Sequence, residues 1–409
     1  MSRKRNLCSS IILIILLLAH FSFSQDAFYL RTITAGVNIT KENCLEVLEK
    51  TKAFLERGKD ILEKEGFILE GVRVATNPFP FYTKDLSVEE TLELIKQISG
   101  FCQKNSMGLS IGPGLIDDTY DREIVDKICA ILPNSSANLS IVIASQKHGI
   151  HYRAVRTAAE TIKRLSQIET MANFSFAATA NIPSETPFFP GAFHNKKTNS
   201  FSIGTESAKL VMKVFAEATD FSEAKSKLFD SFEREYKLIE KAGLRIQQET
   251  GWQYEGVDTS PAPMRDISIG QAIESLIKAP FGSPGTMTAC SIITGVIQGI
   301  DVKRAGYSGL MLPVMEDTVL AQRAAEGRYG LDELLSYSAV CGTGLDVIPL
   351  PGDITEEKLE KILLDVASIS LKLDKPLSAR LIPVKGKNAG EDITLESRFL
   401  VPTKIFKVK

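Results

Sequence analysis

Five side chains pair a reactive group with a position where chemistry is commonly kept: His194, Asp258, Glu316, Cys341 and Asp346. His194 is one of only four histidines in 409 residues, and imidazole, which titrates near neutral pH, suits proton transfer or metal ligation. It closes Phe174–His194 (FSFAATANIPSETPFFPGAFH), an apolar run that opens into a loop dense in Asn, Pro, Gly and aromatics. Cys341 follows an apolar run and precedes Gly342 and Gly344; a thiol made accessible by flexible glycines is a candidate nucleophile. Asp258, Glu316, Asp317 and Asp346 also lie just after apolar runs, where carboxylates act as acids, bases or cation ligands. Each has a plain structural alternative: a helix cap for an acid, a small apolar residue for the thiol, a histidine fixed by backbone hydrogen bonds.

Binding groups are sought beside these. Gly285-Thr286 ends the turn GSPGT before a helical pattern, an arrangement that offers backbone N–H groups to an anion. Gly204-Thr205 is a weaker second case. Arg73, Arg380 and Lys385 could pair with a carboxylate or phosphate, and Arg380, inside an apolar strand, is expected to be paired rather than solvated. Asn181 and Phe189 belong to the loop after the Phe174–Ala180 strand. Phe79, Phe81, Tyr82, Phe188, Phe189 and Phe193 form two Pro-rich aromatic clusters that either wall a pocket or plug it. His148 and His151 have a spacing metals use but no third ligand nearby in sequence, so no metal site is assigned. The cofactor is left open.

These residues must be positioned by alternating elements. Apolar strands are predicted at 28–37, 72–75, 109–111, 139–144, 174–180, 201–203, 253–257, 310–314, 337–340 and 380–384. Nearly all are separated by helical patterns, such as the stripe of Val47/Leu48, Phe54/Leu55 and Ile61/Leu62. Ser87 and Glu90 form a capping box, and Asp353 with Glu356 is expected to start another helix. Such alternation implies parallel βαβ units covered on both faces, within one large α/β unit without a linker. The echo between Ala75–Pro80 (ATNPFP) and Ala180–Pro190 (ANIPSETPFFP) suggests related halves.

Composition sets the outer bounds. The chain is 44% hydrophobic and 24% charged with a net charge of −2. It has no basic stripe, which leaves nucleic-acid binding without electrostatic support. Ser2-Arg3-Lys4-Arg5, the apolar run 11–23 and small residues at Ser22 and Ser24 read as a secretory signal peptide cleaved after Ser24. That leader implies a secretory or extracellular destination and no membrane attachment once it is removed; an uncleaved anchor is the alternative. Five cysteines beyond Cys8 are not a disulfide framework. Of the glycosylation tripeptides at Asn38, Asn134, Asn138 and Asn173, the pair in the polar turn, Asn134 and Asn138, is the most plausible.

The segments ANIPSETPFFPGAFH, VDTSPAP, GLMLPVMED, VCGTGLDVIPLPGD and SARLIPVKGK, in this order, resemble uncharacterised protein family 0210, also called domain of unknown function 711. The resemblance covers residues 29–387. It implies a fold similar to the glycyl-radical enzymes of the pyruvate formate-lyase type, a ten-stranded α/β barrel of two five-stranded halves. It implies no particular reaction. Lys303-Arg-Ala-Gly306-Tyr307 echoes the radical loop of those enzymes, but Arg304 sits one place late and the segment lies far from the C-terminus, which argues against radical chemistry. The expectation is therefore a single barrel over residues 25–409 after a leader at 1–24. At its mouth an enzyme site for a small anionic metabolite would use acid/base or thiol chemistry through His194, Asp258, Glu316, Cys341 and Asp346. Arg380, Gly285, Thr286, Asn181 and Phe189 would bind the ligand. A non-catalytic binding protein or scaffold on the same frame is the second reading, and homo-oligomerisation is left open.

Overall fold

The computed structural model describes residues 28–409. The expected leader and its cleavage site lie outside the described residues. The first half is a regular βα series. It runs β1 (Tyr29–Val37), α1 (Cys44–Lys64), β2 (Val72–Thr76), α2 (Pro80–Thr83), α3 (Val88–Lys104), β3 (Met107–Pro113), α4 (Arg122–Ile131), β4 (Ala137–Ser145), β5 (Gly149–Ile150), α5 (Tyr152–Ile168) and β6 (Phe176–Ala180). The second half continues with β7 (Ser200–Glu206), α6 (Ala208–Glu217), α7 (Phe221–Thr250), β8 (Gln253–Asp258), α8 (Ile269–Ile277), α9 (Thr286–Gly299), α10 (Thr318–Ala325), α11 (Leu331–Ser338), β9 (Gly344–Pro351), α12 (Glu356–Leu373) and β10 (Leu377–Val384). A short hairpin, β11 (Asp392–Ile393) with β12 (Thr403–Lys404), ends the chain.

Local chemistry explains the element boundaries. The stripe read in α1 is buried at Leu48, Phe54, Leu55, Ile61 and Leu62. Each such side chain contributes on the order of 2 kcal/mol through the water it sheds. Ser87 Oγ accepts from the Glu90 amide at 3.1 Å while the Glu90 carboxylate accepts from the Ser87 amide at 2.8 Å, so the box starting α3 is fully formed. Asp353 does not start α12; Thr355 does, its hydroxyl accepting from the Lys358 amide at 3.2 Å.

One ten-stranded sheet holds the domain together, in the order β8-β7-β1-β2-β3-β4-β6-β10-β9, with the two-residue β5 hanging on β4. β1, β2, β3, β4 and β6 are mutually parallel. β7 with β8 and β9 with β10 are also parallel pairs. Both junctions between the halves, β1 with β7 and β6 with β10, are antiparallel. The fold is thus a mixed α/β domain with a central, mostly parallel sheet. The expected closed barrel is not formed as a continuous ladder among the described residues.

What lies between the edges β8 and β9 is an irregular segment, 303–314, that touches both. Lys303 accepts the Val257 amide at 2.9 Å, and Val314 donates to the Asp346 carbonyl at 2.9 Å. Close approach needs glycine on each side. A Cβ on Gly256 would lie 2.4 Å from the Lys303 carbonyl, and one on Gly309 would lie 2.3 Å from the Gly342 Cα. The strand expected at 310–314 is therefore a single bridge, Pro313 with Asp346, with Pro313 unable to donate to a ladder. The strand expected at 337–340 is the end of α11 instead, and β9 follows it.

Candidate functional site

The inner face of the sheet and the loops above it enclose a cavity of about 490 Å3. Four of the expected site residues line it: Glu316, Asp346, Arg380 and Phe189. The centre of the group is Arg380 in β10. Its Nε donates to Asp346 Oδ1 at 2.7 Å and its Nη2 to Glu316 Oε2 at 3.3 Å, while Phe174 lies against the guanidinium at 4.8 Å. The two acids flank one cation, so the pairing expected of an arginine inside an apolar strand is met. Burial raises the Glu316 pKa above the usual carboxylate range, and the Asp346 charge adds to that against the pull of Arg380.

A backbone irregularity brings Asp346 to this place. Ala379 pairs with Leu345 and Leu381 with Ile348, so Arg380 alone faces the two residues Asp346 and Val347. This is a β-bulge, the device that re-aims a side chain. Val347 takes the cost: it is fully buried with φ at +52°, a left-handed conformation that β-branched residues avoid. Strain of this kind costs on the order of 1–3 kcal/mol and gathers at functional sites.

The opposite wall carries Arg31 in β1 and Arg73 in β2. Arg31 is neutralised: its Nη1 donates to Glu206 Oε2 at 2.5 Å and to Glu70 Oε2 at 3.0 Å. Burial pushes the Glu206 carboxyl up to about 7, with Arg31 opposing and Glu70 reinforcing the shift. Arg73 is different. One long bond to the Pro187 carbonyl, 3.4 Å, and the face of Phe189 at 4.8 Å are its contacts. It forms no ion pair among the described residues, and its Nε and Nη2 have no hydrogen-bond acceptor there. Burial, then the repulsion of Arg31, draws its pKa down to about 9, so it remains charged at neutral pH.

The other expected residues stand elsewhere, which corrects the single converging site. Asp258 is buried at the end of β8 and is consumed by the fold. Its carboxylate accepts from Ser260 N and Oγ at 3.0 and 2.6 Å, Tyr307 N at 2.7 Å and Ser308 N at 3.0 Å. Burial pushes it up to about 6 against these four donors. Gly306 is small because a Cβ there would lie 2.1 Å from Asp258 Oδ2; the segment resembling a radical loop is this clamp. His194 is also buried, its ring packed over Gly36, with Nδ1 3.4 Å from Glu185 Oε1 and 3.4 Å from Ser200 Oγ and with Nε2 unpartnered. It does not line the cavity, because the loop carrying it folds back so that its backbone N–H bonds Thr76.

Cys341 is fully buried, and the Lys375 ammonium holds its carbonyl. The chain turns so that Thr343, two residues on, reaches the cavity instead, its Oγ1 buried and unpartnered. Asn181 donates to Ser370 Oγ at 3.0 Å, towards α12. Gly285 caps α9 at φ +101°, and Thr286 Oγ1 accepts from Gly282 N at 3.1 Å and donates to the Ser283 carbonyl at 2.8 Å, closing a turn remote from Arg380. Asp317 caps α10, accepting from Val319 and Leu320 amides at 3.0 Å.

The outlying motifs resolve similarly. Phe188 and Phe189 reach the cavity, whereas Phe79 is buried and Phe81 is 59% exposed. His151 is held between Ser145 Oγ at 3.1 Å and the Val142 carbonyl at 3.2 Å. Among the described residues no group of three or more His, Cys, Asp or Glu is assembled for a metal. Asn138 lines the cavity and Asn173 is buried, so neither offers the exposed turn expected for a glycosylated asparagine; Asn134 and Asn38 are exposed. Sequence reading passed over Arg31, Glu206 and Thr343. The available signal was an arginine in the middle of each of three otherwise apolar or small-residue strands, β1, β2 and β10.

A mixed α/β domain around an arginine- and acid-lined cavity is the class that fold and site define. The chain belongs to the family described as Uncharacterised ACR (DUF711), whose model matches residues 23–396. It is similar to a UPF0210 protein of Pyrobaculum aerophilum, 29% identical over 402 residues, covering 88% of this chain and 86% of the relative. A UPF0210 protein of Pyrobaculum arsenaticum is 34% identical over 260 residues, 61% of this chain and 57% of its own. One of Oenococcus oeni is 22% identical over 398 residues, 90% and 89% of the two chains.

Proposed function

We propose that the cavity binds a small anionic metabolite and that Glu316 and Asp346 perform acid/base chemistry on it, in a frame that works as a closed ten-stranded barrel. One observation carries the reading: Arg73 is a cavity-facing guanidinium with no carboxylate partner among the described residues. Keeping an uncompensated charge away from bulk water is costly, and a ligand anion removes that cost. The carboxylate pair supports the catalytic part, since two acids held by one cation, with Glu316 shifted upward by burial, separate into a proton donor and a proton acceptor. The bridges of segment 303–314 to β8 and β9 support the barrel part. Thiol chemistry loses support because Cys341 does not line the cavity. A binding protein without catalysis keeps the same ligand and the same Arg73.

The test is thermal unfolding of the full chain with millimolar phosphate and small carboxylates. Wild type is expected to gain several degrees. Arg73→Met is expected to unfold no earlier than wild type without ligand, or slightly later, and to lose the ligand-induced gain. No gain for wild type with any anion sinks the proposal.

A further inference from the structure

Resting on that anionic reading, we infer that the ligand is a zwitterion, an amino acid or amino-acid-like molecule with an apolar side chain, bound by its carboxylate at Arg73 and by its ammonium between Glu316 and Asp346.

Apart from Arg31, held by Glu206 and Glu70, and the exposed Arg398 at the rim, the charges of the cavity divide into two unequal poles. Arg73 offers a free Nε/Nη2 edge, the fork that matches a carboxylate with two parallel hydrogen bonds. With Glu316 ionised, the state that an approaching ammonium favours, the other pole has the opposite surplus. Arg380 is shared by two carboxylates, with Nε taken by Asp346 Oδ1 and Nη2 by Glu316 Oε2. Asp346 Oδ2 and Glu316 Oε1 accept no hydrogen bond among the described residues, and both side chains line the cavity. A simple dianion would satisfy Arg73 and be repelled by this pair. A simple cation would satisfy the pair and be repelled by Arg73. A molecule carrying both charges satisfies both poles without changing the net charge of the site.

The space between the poles is not polar throughout. Phe174, Phe188, Phe189, Met311 and the ring of Tyr307 face it, with Ser136 and Asn138 on one side. Walls of this kind, with a few fixed polar groups, select an apolar body oriented by its charged ends. The bulge at Val347 lies beside this pole, where Asp346 and Val347 together face Arg380.

The experiment compares matched ligands on the full chain by calorimetry and thermal shift. Amino acids of graded side-chain size are each paired with the acid lacking the amino group and the amine lacking the carboxyl group. The expected result is that at least one apolar amino acid binds about tenfold or more tightly than both of its partners, the scale of one added charge-assisted contact. Glu316→Gln/Asp346→Asn together should erase the preference over the deaminated acid, whose own binding should tighten because Arg380 then lacks a charged partner. The wild-type comparison decides without the variant. If deaminated acids or phosphate bind and the amino group adds nothing, the zwitterion is overturned and the anion reading survives. If no acid, amino acid or phosphate binds, both fall.

Discussion

Asp258 and Asp346 begin alike, each an acid in a short apolar context at the end or start of a strand, and they end in opposite conditions. At Asp258 the fold supplies four donors, two backbone amides from 307–308 and the amide and hydroxyl of Ser260, three of them on Oδ1 and one on Oδ2, and none of them is a cation. At Asp346 one oxygen bonds Arg380 and the other faces the cavity. The first acid is a staple; the second retains bonding capacity for a ligand. The lesson is that a buried carboxylate is read by counting its donors rather than by its depth.

Substitutions can break or sharpen that contrast, and the largest effect belongs to the cation beneath Asp346. Arg380→Met leaves two carboxylates facing each other without their shared partner, and urea unfolding should show a loss of about 3–5 kcal/mol. Asp258→Ala comes next, at about 3 kcal/mol, because it strands the amides of Tyr307 and Ser308; whatever protein remains folded should keep its anion response. If the anion response disappears instead, the staple is also part of the site. Asp346→Asn should cost less than about 1.5 kcal/mol, since the amide oxygen still accepts from Arg380 Nε, yet ligand affinity should fall. The smallest effect is a slope. The Glu206 carboxyl, raised to about 7 in the fold from an ordinary 4.5, favours folding at pH below 4.5, and that contribution is lost as pH rises through 7. Glu206→Gln should flatten the decline of stability between pH 5 and 8 by on the order of 1 kcal/mol, measured by denaturant midpoints at each pH; an unchanged slope would show that Arg31 keeps Glu206 ionised.

The frame was largely legible in the sequence and the site only partly. Alternating apolar runs located eight of the strands, because buried parallel strands have few polar residues to obscure them. β9 was missed because Gly344, Pro349 and Pro351 read as loop. Prolines are tolerated there since β9 pairs with β10 on one side only and meets an irregular segment on the other. Tyr337–Val340 misled for the converse reason, an apolar tetrad too short to tell a helix end from a strand. Arg380 was legible as a charge within an apolar strand. Its partners lie 34 and 64 residues away, and no spacing rule joins such residues. His194 and Cys341 carried the expected chemistry in their side chains, but which way a loop turns is settled by backbone bonds such as that of His194 to Thr76.

The seam between β8 and β9 has a consequence for motion. Four consecutive amides there, Tyr307 to Leu310, donate to side-chain oxygens: two to Asp258, one to Ser260 and one to Thr294. A strand in a ladder is guarded by its neighbour's backbone, which no substitution removes. These four are guarded by three replaceable side chains, so their exchange with solvent deuterium reports on Asp258, Ser260 and Thr294 rather than on global unfolding. The wall of the cavity that holds Tyr307 and Met311 is thus a seam beside the sheet whose opening sequence change can tune independently of the rest.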